Sequence, residues 1–290
     1  MPTPLSPGTL YLVSTPIGNL EDITYRAVRV LKAVDLIAAE DTRQTTKLCN
    51  HYGISTRRVS LHEHNESQRT PSFLKKLARG DTIAVVSDAG TPLVSDPGGK
   101  LSAEALTAGY KVEAIPGPSA VLAALASSGF SVENGFSFVG FPPSRSNSRK
   151  EFFLDLVNEP KPIVVFESPH RIIGCMTDIS DLFKGRRIAI CRELTKIHES
   201  LVIQPINEIP DFISKNRLKG EITLVIEGQS TQNTDQAQVK DSTLLSEFGY
   251  LTESGLSRRA AIRTLATRYR CSTRDIYQRI ETNKPTSFVD

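Results

Sequence analysis

The chain of 290 residues is longer than one small core requires, and 39 % hydrophobic with 23 % charged residues is typical of a globular protein rather than a disordered one. No apolar run approaches the roughly 20 residues that span a bilayer, and residues 1–8 lack the basic and apolar regions of a secretory signal, so we expect a cytoplasmic protein without a membrane segment. The net charge of +3 conceals an uneven distribution, because residues 256–280 hold seven arginines against one acid, Asp275.

Apolar runs alternate with helical patterns in the first part of the chain. We predict strands at 9–13, 35–39, 82–86 and 111–115, and helices at 25–34, 43–52, 67–78 and 99–108. Nearly continuous apolar strands that alternate with helices indicate a largely parallel sheet covered on both faces. Asp41, with a glutamine three residues later, is predicted to cap the second helix.

A second set of elements follows. An Ala-rich helix is predicted to end at 127, and residues 140–150 are polar, basic and proline-containing, which predicts a mobile loop. Strands at 136–139, 163–166, 187–191, 201–203 and 221–226, with a helix at 170–182, indicate a mixed sheet. Two short capped helices, at 257–266 and 272–280, are typical of a helix-turn-helix. The predicted domains are therefore two α/β domains, 1–118 and 119–229, a linker at 230–241 and a helix-turn-helix module at 242–290.

Four widely spaced cysteines, Cys49, Cys175, Cys191 and Cys271, form no C-x-x-C pair and predict free thiols in a reducing compartment. His62 and His64 flank Glu63 with no third ligand nearby, so a solvated strand edge is a simpler interpretation than zinc. We expect no metal.

The loop after the strand at 82–86 is the most informative segment. Val-Ser-Asp-Ala-Gly-Thr-Pro-Leu-Val-Ser-Asp-Pro-Gly, residues 86–98, begins where open α/β sheets bind ligands. Its glycines permit close approach of a ligand, and its prolines restrict the backbone. The carboxylate of Asp88 can accept hydrogen bonds from an amino group, so an amino-acid ligand suits this loop. The alternative is a purely structural turn, since the same residues favour turns.

The loop after the first strand, residues 14–22, argues against two common cofactors. It reads Ser-Thr-Pro-Ile-Gly-Asn-Leu-Glu-Asp and holds a single glycine, whereas a dinucleotide site requires G-x-G-x-x-G. The chain also lacks the G-x-x-x-x-G-K-[ST] of a phosphate-binding loop.

Five motifs together resemble one family. They are residues 14–22, Ala-Ala-Glu-Asp-Thr-Arg at 38–43, residues 87–98, Pro-Gly-Pro-Ser-Ala at 116–120 and Arg-Glu-Leu-Thr-Lys at 192–196. In this order they resemble ribosomal RNA small subunit methyltransferase I, a family of the tetrapyrrole-methylase (class III) superfamily. The resemblance runs from about residue 8 to 228. It implies two α/β domains with S-adenosylmethionine in the cleft between them, and a homodimer that methylates a cytidine 2′-oxygen in the 16S ribosomal RNA of the small subunit.

Carried over position by position, the resemblance implies the cofactor-binding residues. They are Pro16, Ile17, Gly18, Asp88, Gly90, Thr91, Pro92, Val94, Ser95, Ser119, Ala120, Phe166, Glu167, Leu194, Gly220 and Glu221. For Phe166 and Leu194, ordinary core packing is the alternative.

Methyl transfer requires a hydroxyl held in line behind the methyl group, and a base that removes its proton accelerates the reaction. Candidates at strand ends include Glu40, Asp41, Arg43, Arg192, Glu193 and Lys196, of which we predict Glu40, Arg43 and Lys196 to be catalytic. In the alternative, Asp41 only caps its helix, Glu193 only pairs with Arg192, and Lys196 only neutralises a phosphate.

Basic residues in two segments are predicted to bind RNA phosphates. They are Arg145, Arg149, Lys150, Arg258, Arg259, Arg263 and Arg274. The family usually has a lysine where Arg145 stands. Two other functions remain open: a tetrapyrrole methylase acting on corrinoid precursors, against which the basic segments argue, and a non-catalytic nucleic-acid-binding factor, which leaves the two ligand-shaped loops without a role.

Overall fold

The computed structural model describes residues 4–216, 218–229, 241–253, 256–269 and 272–283. Contacts between residues divide the chain into two compact units, residues 1–228 and 229–290. The linker predicted at 230–241 lies, apart from Asp241, outside the described residues. Within the described ranges, no helix combines the length and the apolar character needed to cross a bilayer.

The first sheet of the larger unit is wholly parallel. Its strands are β1 (Thr9–Val13), β2 (Leu36–Ala39), β3 (Arg58–Ser60), β4 (Ile83–Val86) and β5 (Lys111–Ile115), in the order β3-β2-β4-β1-β5. This confirms the predicted parallel sheet. The short edge strand β3 was not predicted, because only half-buried residues form it and Val59 is its single apolar residue.

Four helices cover the two faces of this sheet. They are α1 (Tyr25–Ala33), α2 (Thr42–His51), α3 (Glu63–Ala78) and α4 (Gly99–Thr107). Alternate strand residues point to opposite faces, so Tyr11 packs in the cluster that includes α1 and α2, while Leu10 packs with α3 and α4. Asp41 caps α2 as predicted, accepting the Arg43 amide at 2.8 Å.

Helix α3 begins one turn earlier than predicted. His62 is its N-cap and forms a reciprocal capping pair with Asn65, and His64 lies in its first turn. The interpretation of both histidines as residues of a strand edge is therefore wrong, because a local capping interaction extends the helix.

The second sheet is mixed, as predicted. Its strands are β6 (Ser137–Phe138), β7 (Ile163–Glu167), β8 (Arg187–Arg192), β9 (Ser200–Pro205) and β10 (Ile222–Ile226), in the order β6-β7-β10-β8-β9. Only the β6–β7 pair is parallel. Its helices are α5 (Ala120–Ser128), α6 (Ser146–Leu154), α7 (Ile172–Ile179) and α8 (Ile209–Lys215). Helix α5 packs on one face and the other three on the opposite face.

The predicted mobile loop at 140–150 contains the first turn of α6, so that prediction is wrong over its second half. The helix has a polar exposed surface, and its buried residues, Arg149 and Phe153, are too few to produce a clear apolar period.

The smaller unit is a bundle of three helices, α9 (Asp241–Glu253), α10 (Arg258–Arg268) and α11 (Thr273–Thr282). Leu244, Leu265, Ile276 and Ile280 form its buried core. Ser272 caps α11 by accepting the Asp275 amide at 3.0 Å. The two predicted helices are confirmed, and α9 is added to them.

Candidate active site

The loops after β1 and β4 leave two neighbouring strands in opposite directions. After β1 the chain passes across β4 to β2. After β4 it passes in the opposite direction, across β1 to β5. Such a divergence opens a crevice at the carboxyl edge of a parallel sheet, where α/β proteins bind ligands. Thr15 and Gly90 join the two loops through backbone hydrogen bonds of 2.8 and 3.0 Å, so the crevice has a fixed base.

A cavity of about 600 Å³ occupies this crevice, a volume typical of small-molecule sites. We call its two sides the first wall and the second wall. The first wall is lined by Ile17, Ala89, Gly90, Thr91, Val94, Ser95, Asp96, Ser119, Ala120 and Val121. The second wall is lined by Phe141, Phe166, Glu167, Ser168, Pro169, His170, Glu193, Lys196, Gly220, Glu221, Ile222 and Thr223.

Backbone strain is concentrated in the loops around the cavity. Across the described ranges, four residues other than glycine have φ in the left-handed region: Leu93 (73°), Ser95 (65°), Glu193 (53°) and Thr195 (66°). Each such conformation costs of the order of 1–3 kcal/mol and persists where the surrounding structure enforces it, most often at functional sites. Leu93 and Ser95 belong to the loop of the first wall, and Glu193 and Thr195 to the loop of the second wall.

The second wall holds a lysine between two carboxylates. The Lys196 ammonium lies 2.9 Å from Glu193 Oε1 and 3.1 Å from Glu221 Oε2. Burial alone would lower the pKa of Lys196, but these two hydrogen bonds outweigh it and raise the pKa. The hydrogen bond from Lys196 likewise lowers the pKa of Glu193. Lys196 and Glu193 therefore remain charged near neutral pH.

Behind the first wall, carboxyl groups come together at the ends of β2 and β4. Glu40 Oε2 accepts the Asp88 amide at 3.1 Å, and Asp88 Oδ1 accepts the Asp41 amide at 3.0 Å. Burial raises the pKa of both Glu40 and Asp88. Asp96 lies beside them in the cavity lining, and burial together with the negative charge of Glu40 raises its pKa to about 7. This wall is therefore able to hold a proton near neutral pH.

Aromatic side chains form one edge of the second wall. The ring of Phe166 lies 5.0 Å from that of Phe138 and 5.4 Å from that of Phe141, measured between centroids. Phe141 is 56 % exposed although it lines the cavity. Gly140 approaches the loop of the first wall, because a Cβ at that position would lie 3.2 Å from Ser95 Oγ.

Comparison with known proteins agrees with this architecture. Residues 9–210 match the family described as Tetrapyrrole (Corrin/Porphyrin) Methylases. The chain is 42 % identical to ribosomal RNA small subunit methyltransferase I of Synechocystis sp. over 93 % of this chain and 96 % of the relative. It is 44 % identical to the protein of the same name from Escherichia coli O157:H7, over 79 % and 81 %.

The chain belongs to the ribosomal RNA small subunit methyltransferase I family. Among solved structures, it resembles uroporphyrin-III C-methyltransferase from Thermus thermophilus complexed with S-adenosylhomocysteine, with a TM-score of 0.54 and 18 % identity over 76 % of this chain and 97 % of that one. It also resembles diphthine synthase, with a TM-score of 0.59 and 12 % identity over 76 % and 90 %. These two likenesses show the shared fold and confirm the predicted fold class, while the family match and the relatives above confirm the predicted family.

Within this family fold, most of the residues expected to bind the cofactor converge on the cavity. Those in its lining are Ile17, Gly90, Thr91, Val94, Ser95, Ser119, Ala120, Phe166, Glu167, Gly220 and Glu221. Leu194 packs in the core and lines a smaller adjoining pocket with Ile17 and Ala120.

Four of the expected residues lie behind the lining. Pro16 and Pro92 belong to the two loops of the first wall, and Asp88 supports the turn between β4 and the cavity. Gly18 faces the other wall, because a Cβ there would lie 2.5 Å from Lys196 Cγ. Asn19 also donates its amide to Thr195 Oγ1 at 3.0 Å, so this loop joins the two walls.

The three residues expected to be catalytic are placed differently from one another. Lys196 lines the cavity. Glu40 lies behind the lining and acts on Asp96 through its charge. The Arg43 side chain is 88 % exposed and forms an ion pair of 2.6 Å with Asp41. Glu193 pairs with Lys196, whereas Arg192 donates to Ser200 Oγ and to backbone carbonyls, so the alternative of a Glu193–Arg192 pair is wrong.

The lining residues Asp96, Phe141, Ser168, Pro169, His170 and Thr223 were not among the expected site residues. Asp96 lies in the loop at 86–98, and its place in that loop was the sequence feature that could have identified it as a site residue. The segment at 168–170 follows the carboxyl end of β7, which was predicted, so its position at a strand end was the corresponding signal.

The basic residues near α6 divide into exposed and buried ones. Arg145 and Lys150 are exposed. Arg149 is 6 % exposed, forms an ion pair with Asp178, and donates to the carbonyl oxygen of Ser144 at 3.0 Å. This placement does not support the expected contact of Arg149 with RNA, because its charge is already neutralised within the protein.

In the helical unit, the arginines also differ. Arg258 pairs with Glu281, and Arg268 pairs with Glu247 at 2.8 Å. Arg259 and Arg274 are exposed, at the beginnings of α10 and α11. Arg263 is exposed on α10. Across the described ranges, the chain brings no group of three or more metal-ligating side chains together.

Proposed function

We propose that this chain is an S-adenosylmethionine-dependent methyltransferase that methylates the 2′-oxygen of a cytidine ribose in the 16S ribosomal RNA of the small subunit. The observation that carries the proposal is the 42 % identity, along 93 % of the chain, to a relative named ribosomal RNA small subunit methyltransferase I. The tetrapyrrole-methylase fold supports it, since a structure of that fold holds S-adenosylhomocysteine.

The cavity suits the cofactor in volume, in the access to its backbone and in charge. Its volume of about 600 Å³ suits an amino-acid nucleoside. Gly90 (φ +77°) and Gly220 (φ +86°) allow the backbone of both walls to approach a ligand. Its lining has more carboxylates than basic groups, which favours the cationic sulfonium. The amino terminus of α5, at Ser119 and Ala120, supplies amides of the kind that favour a carboxylate.

Bound S-adenosylmethionine supplies an electrophilic methyl group. The chain then contributes by holding the ribose oxygen in line with that methyl group and by receiving its proton. We propose that Lys196 contacts the RNA backbone from the second wall. We also propose that Glu40, behind the first wall, acts through its charge on Asp96. Arg43 is exposed and paired with Asp41, and we propose that it meets RNA rather than the reacting atoms.

RNA recognition is proposed for the exposed basic residues. Arg145 and Lys150 lie at α6, which follows the loop that carries Phe141 at the cavity edge. Arg258, Arg259, Arg263 and Arg274 belong to the helical unit. Cationic side chains that neutralise phosphates release counterions, so such binding weakens steeply with salt. By family resemblance, we further propose that the protein is a homodimer and acts in the cytoplasm. Light scattering of the purified protein tests the homodimer.

The decisive experiment incubates the full chain with labelled S-adenosylmethionine and small ribosomal subunits, followed by mapping of ribose-methylated positions. We expect one labelled cytidine 2′-oxygen. Label in a corrinoid precursor supplied in place of the subunits, or no calorimetric binding of the cofactor, would contradict the proposal.

A matched pair of variants tests the cavity. Ala120→Leu fills the lining, and we expect affinity for S-adenosylmethionine to fall at least about tenfold. Ala103→Leu adds the same atoms to the exposed surface of α4 and should leave affinity unchanged. Equal affinity of the two variants would remove the cofactor from this cavity.

A second pair tests the helical unit. Replacing Arg259 and Arg274 with glutamine should weaken RNA binding and reduce the slope of log affinity against log salt by about one to two units. The control replaces the exposed Lys184 and Lys215 with glutamine, which removes the same charge from the larger unit. Equal salt slopes in both double variants would exclude the helical unit from RNA binding.

A further inference from the structure

Asp96 is held in place by its own loop. It follows Ser95, whose φ is 65°, and precedes Pro97 and Gly98, whose φ is 110°. A Cβ at Gly98 would lie 3.1 Å from Val85 Cγ1, so the end of the loop is pressed against β4. The backbone on both sides of Asp96 is therefore restrained, and its carboxyl is half-buried in the cavity lining.

No cation is among the described groups that most affect the pKa of this carboxyl. Within the described part of the chain, the groups that act on it are Glu40, Ser87 and Asp88. The Ser87 hydroxyl is divided between this carboxyl and the carbonyl oxygen of Ala89, 3.2 Å away. Two of the three neighbours are carboxyl groups, and only the hydroxyl stabilises a negative charge.

The wider charge environment comes from the ends of β2 and β4 and from the start of α3. Glu40 is influenced by Asp88, Asp41 and His62, and Asp88 by Asp41 and Arg43. The guanidinium of Arg43 is bound to Asp41, which it neutralises most directly. Desolvation and the charge of Glu40 therefore raise the pKa of Asp96 to about 7, where a carboxyl can exchange protons at working pH.

Three other carboxylates of the chain, unlike Asp96, are paired with a cation. Asp178 is held by Arg149, Glu227 by Arg187, and Glu193 by Lys196. A half-buried acid placed among other acids costs folding free energy, and groups that carry such a cost occur most often at functional sites. A carboxylate is a stronger base when its pKa is raised, and proton removal is the task that methylation of a hydroxyl offers.

We propose that Asp96 is the general base of the reaction, and that Glu40 is a positioning residue that acts through it. This inference rests on the proposed function and deepens it. The Asp96 carboxylate takes the proton of the ribose hydroxyl as the oxygen forms its bond to the methyl carbon; the carbon–sulfur bond breaks and its electron pair stays on sulfur. The proton later passes from Asp96 to water, so atoms and charge balance.

Single-turnover methylation of small subunits tests the base directly. With saturating cofactor, the rate should rise tenfold per pH unit below about pH 7 and level above it. Asp96→Asn should lower the plateau rate by about 10²–10⁴-fold and abolish this pH dependence. Asp211→Asn, which makes the same change on the exposed surface of α8, should match the wild type in both respects.

A titration without RNA supplies a readout independent of activity. In protein labelled with ¹³C-aspartate, one carboxyl signal should titrate near pH 7 and disappear in Asp96→Asn. Glu40→Gln keeps an acceptor for the Asp88 amide but removes a negative charge, so it should move that midpoint to lower pH. An unmoved midpoint would overturn the positioning role of Glu40.

The outcomes separate this inference from the proposed function. If wild-type protein methylates subunits and Asp96→Asn does so at the same rate, Asp96 is not the base although the function stands. A rate that falls as pH rises through 7 would make Asp96 a proton donor and overturn the inference. Asp96→Asn must bind S-adenosylmethionine within about threefold of wild type by calorimetry; a larger loss assigns Asp96 to cofactor binding instead.

Discussion

The two walls of the cavity hold their carboxyl groups in opposite ways. On the second wall, Glu193 and Glu221 share the Lys196 ammonium at 2.9 and 3.1 Å. Asp96 on the first wall is influenced by the like charge of Glu40 and Asp88 behind it, and burial raises the pKa of all three carboxyl groups. Lys196 and Glu193 on the second wall therefore stay ionised, while Asp96 on the first wall can change its protonation near neutral pH.

From this difference we infer that the second wall fixes the position of the ligand and that the first wall exchanges the proton. Both sides are built from strained loops, so the difference lies in the charges and not in the rigidity of the backbone. A positioning wall should be sensitive to added volume, and a proton-exchanging wall should be sensitive to pH. The predictions below test each half of this contrast.

The largest effect is expected from Gly220→Ala on the second wall. A Cβ at Gly220 would overlap the Glu193 carboxyl, and φ is +86°. Both the clash and the backbone strain oppose the alanine, so the Lys196 network must shift. We expect affinity for S-adenosylmethionine to fall at least about tenfold and the free energy of unfolding to drop by about 1–3 kcal/mol. Calorimetry and urea unfolding measure the two quantities.

Gly185→Ala is the matched control for this prediction. Gly185 has nearly the same φ, +87°, but a Cβ there has nothing within 4 Å. It should lose about 1 kcal/mol from backbone strain and keep full affinity for the cofactor. If Gly220→Ala behaved like Gly185→Ala, the second wall would tolerate displacement, and its role in fixing position would be lost.

A smaller effect is expected from Asp96→Asn on the pH dependence of stability. The pKa of Asp96 is about 7 in the folded protein against 3.8 for the ordinary side chain, so the folded state holds the extra proton between those values. The stability of the wild type therefore falls as pH rises from about 4 to about 7, and the loss levels off above pH 7. The asparagine removes this cost, so the variant should gain on the order of 1 kcal/mol relative to wild type at pH 8 compared with pH 4.

Urea unfolding of both proteins at pH 4 and pH 8 measures this difference. Asp211→Asn on exposed α8 serves as the control, because its environment offers no comparable burial. A stability difference between Asp96→Asn and wild type that is the same at both pH values would mean that the first wall does not hold a proton near neutrality.

Much of this contrast was accessible from the sequence, because strands reveal where ligand-binding loops begin. The apolar runs at β1 and β4 predicted both strands, and the loop at 86–98 was therefore placed at the carboxyl edge of the sheet. Family motifs then pointed to most of the lining. The positions of Leu93 and Ser95 in the left-handed region have no signal in composition, so the direction of Asp96 could not be predicted.

Long-range partners were the other unpredictable element. Arg149 resembled a solvent-facing basic residue, but its partner Asp178 lies 29 residues further along the chain and draws it into the protein. Lys196 was singled out by its motif, whereas its second carboxylate, Glu221, comes from the approach to β10, 25 residues away. Such pairs are decided by how strands and helices pack, which a local pattern does not encode.

The smallest effect is expected from Lys196→Met, which keeps most of the apolar stem and removes the charge. Glu193 would lose the hydrogen bond that lowers its pKa, so its pKa should rise toward the ordinary value. A carboxyl whose folded pKa is lowered stabilises the protein above its unfolded pKa and loses that contribution as pH falls. The variant should thus be less stable than wild type at pH 7 by less than about 1 kcal/mol, since the pair is partly solvated, and the deficit should shrink toward pH 3. Lys184→Met, on the exposed surface after α7, should show no such pH-dependent deficit. If both variants behaved alike, the ion pairs of Lys196 would contribute nothing to the stability of the second wall. The contrast between the walls would then rest on Asp96 alone.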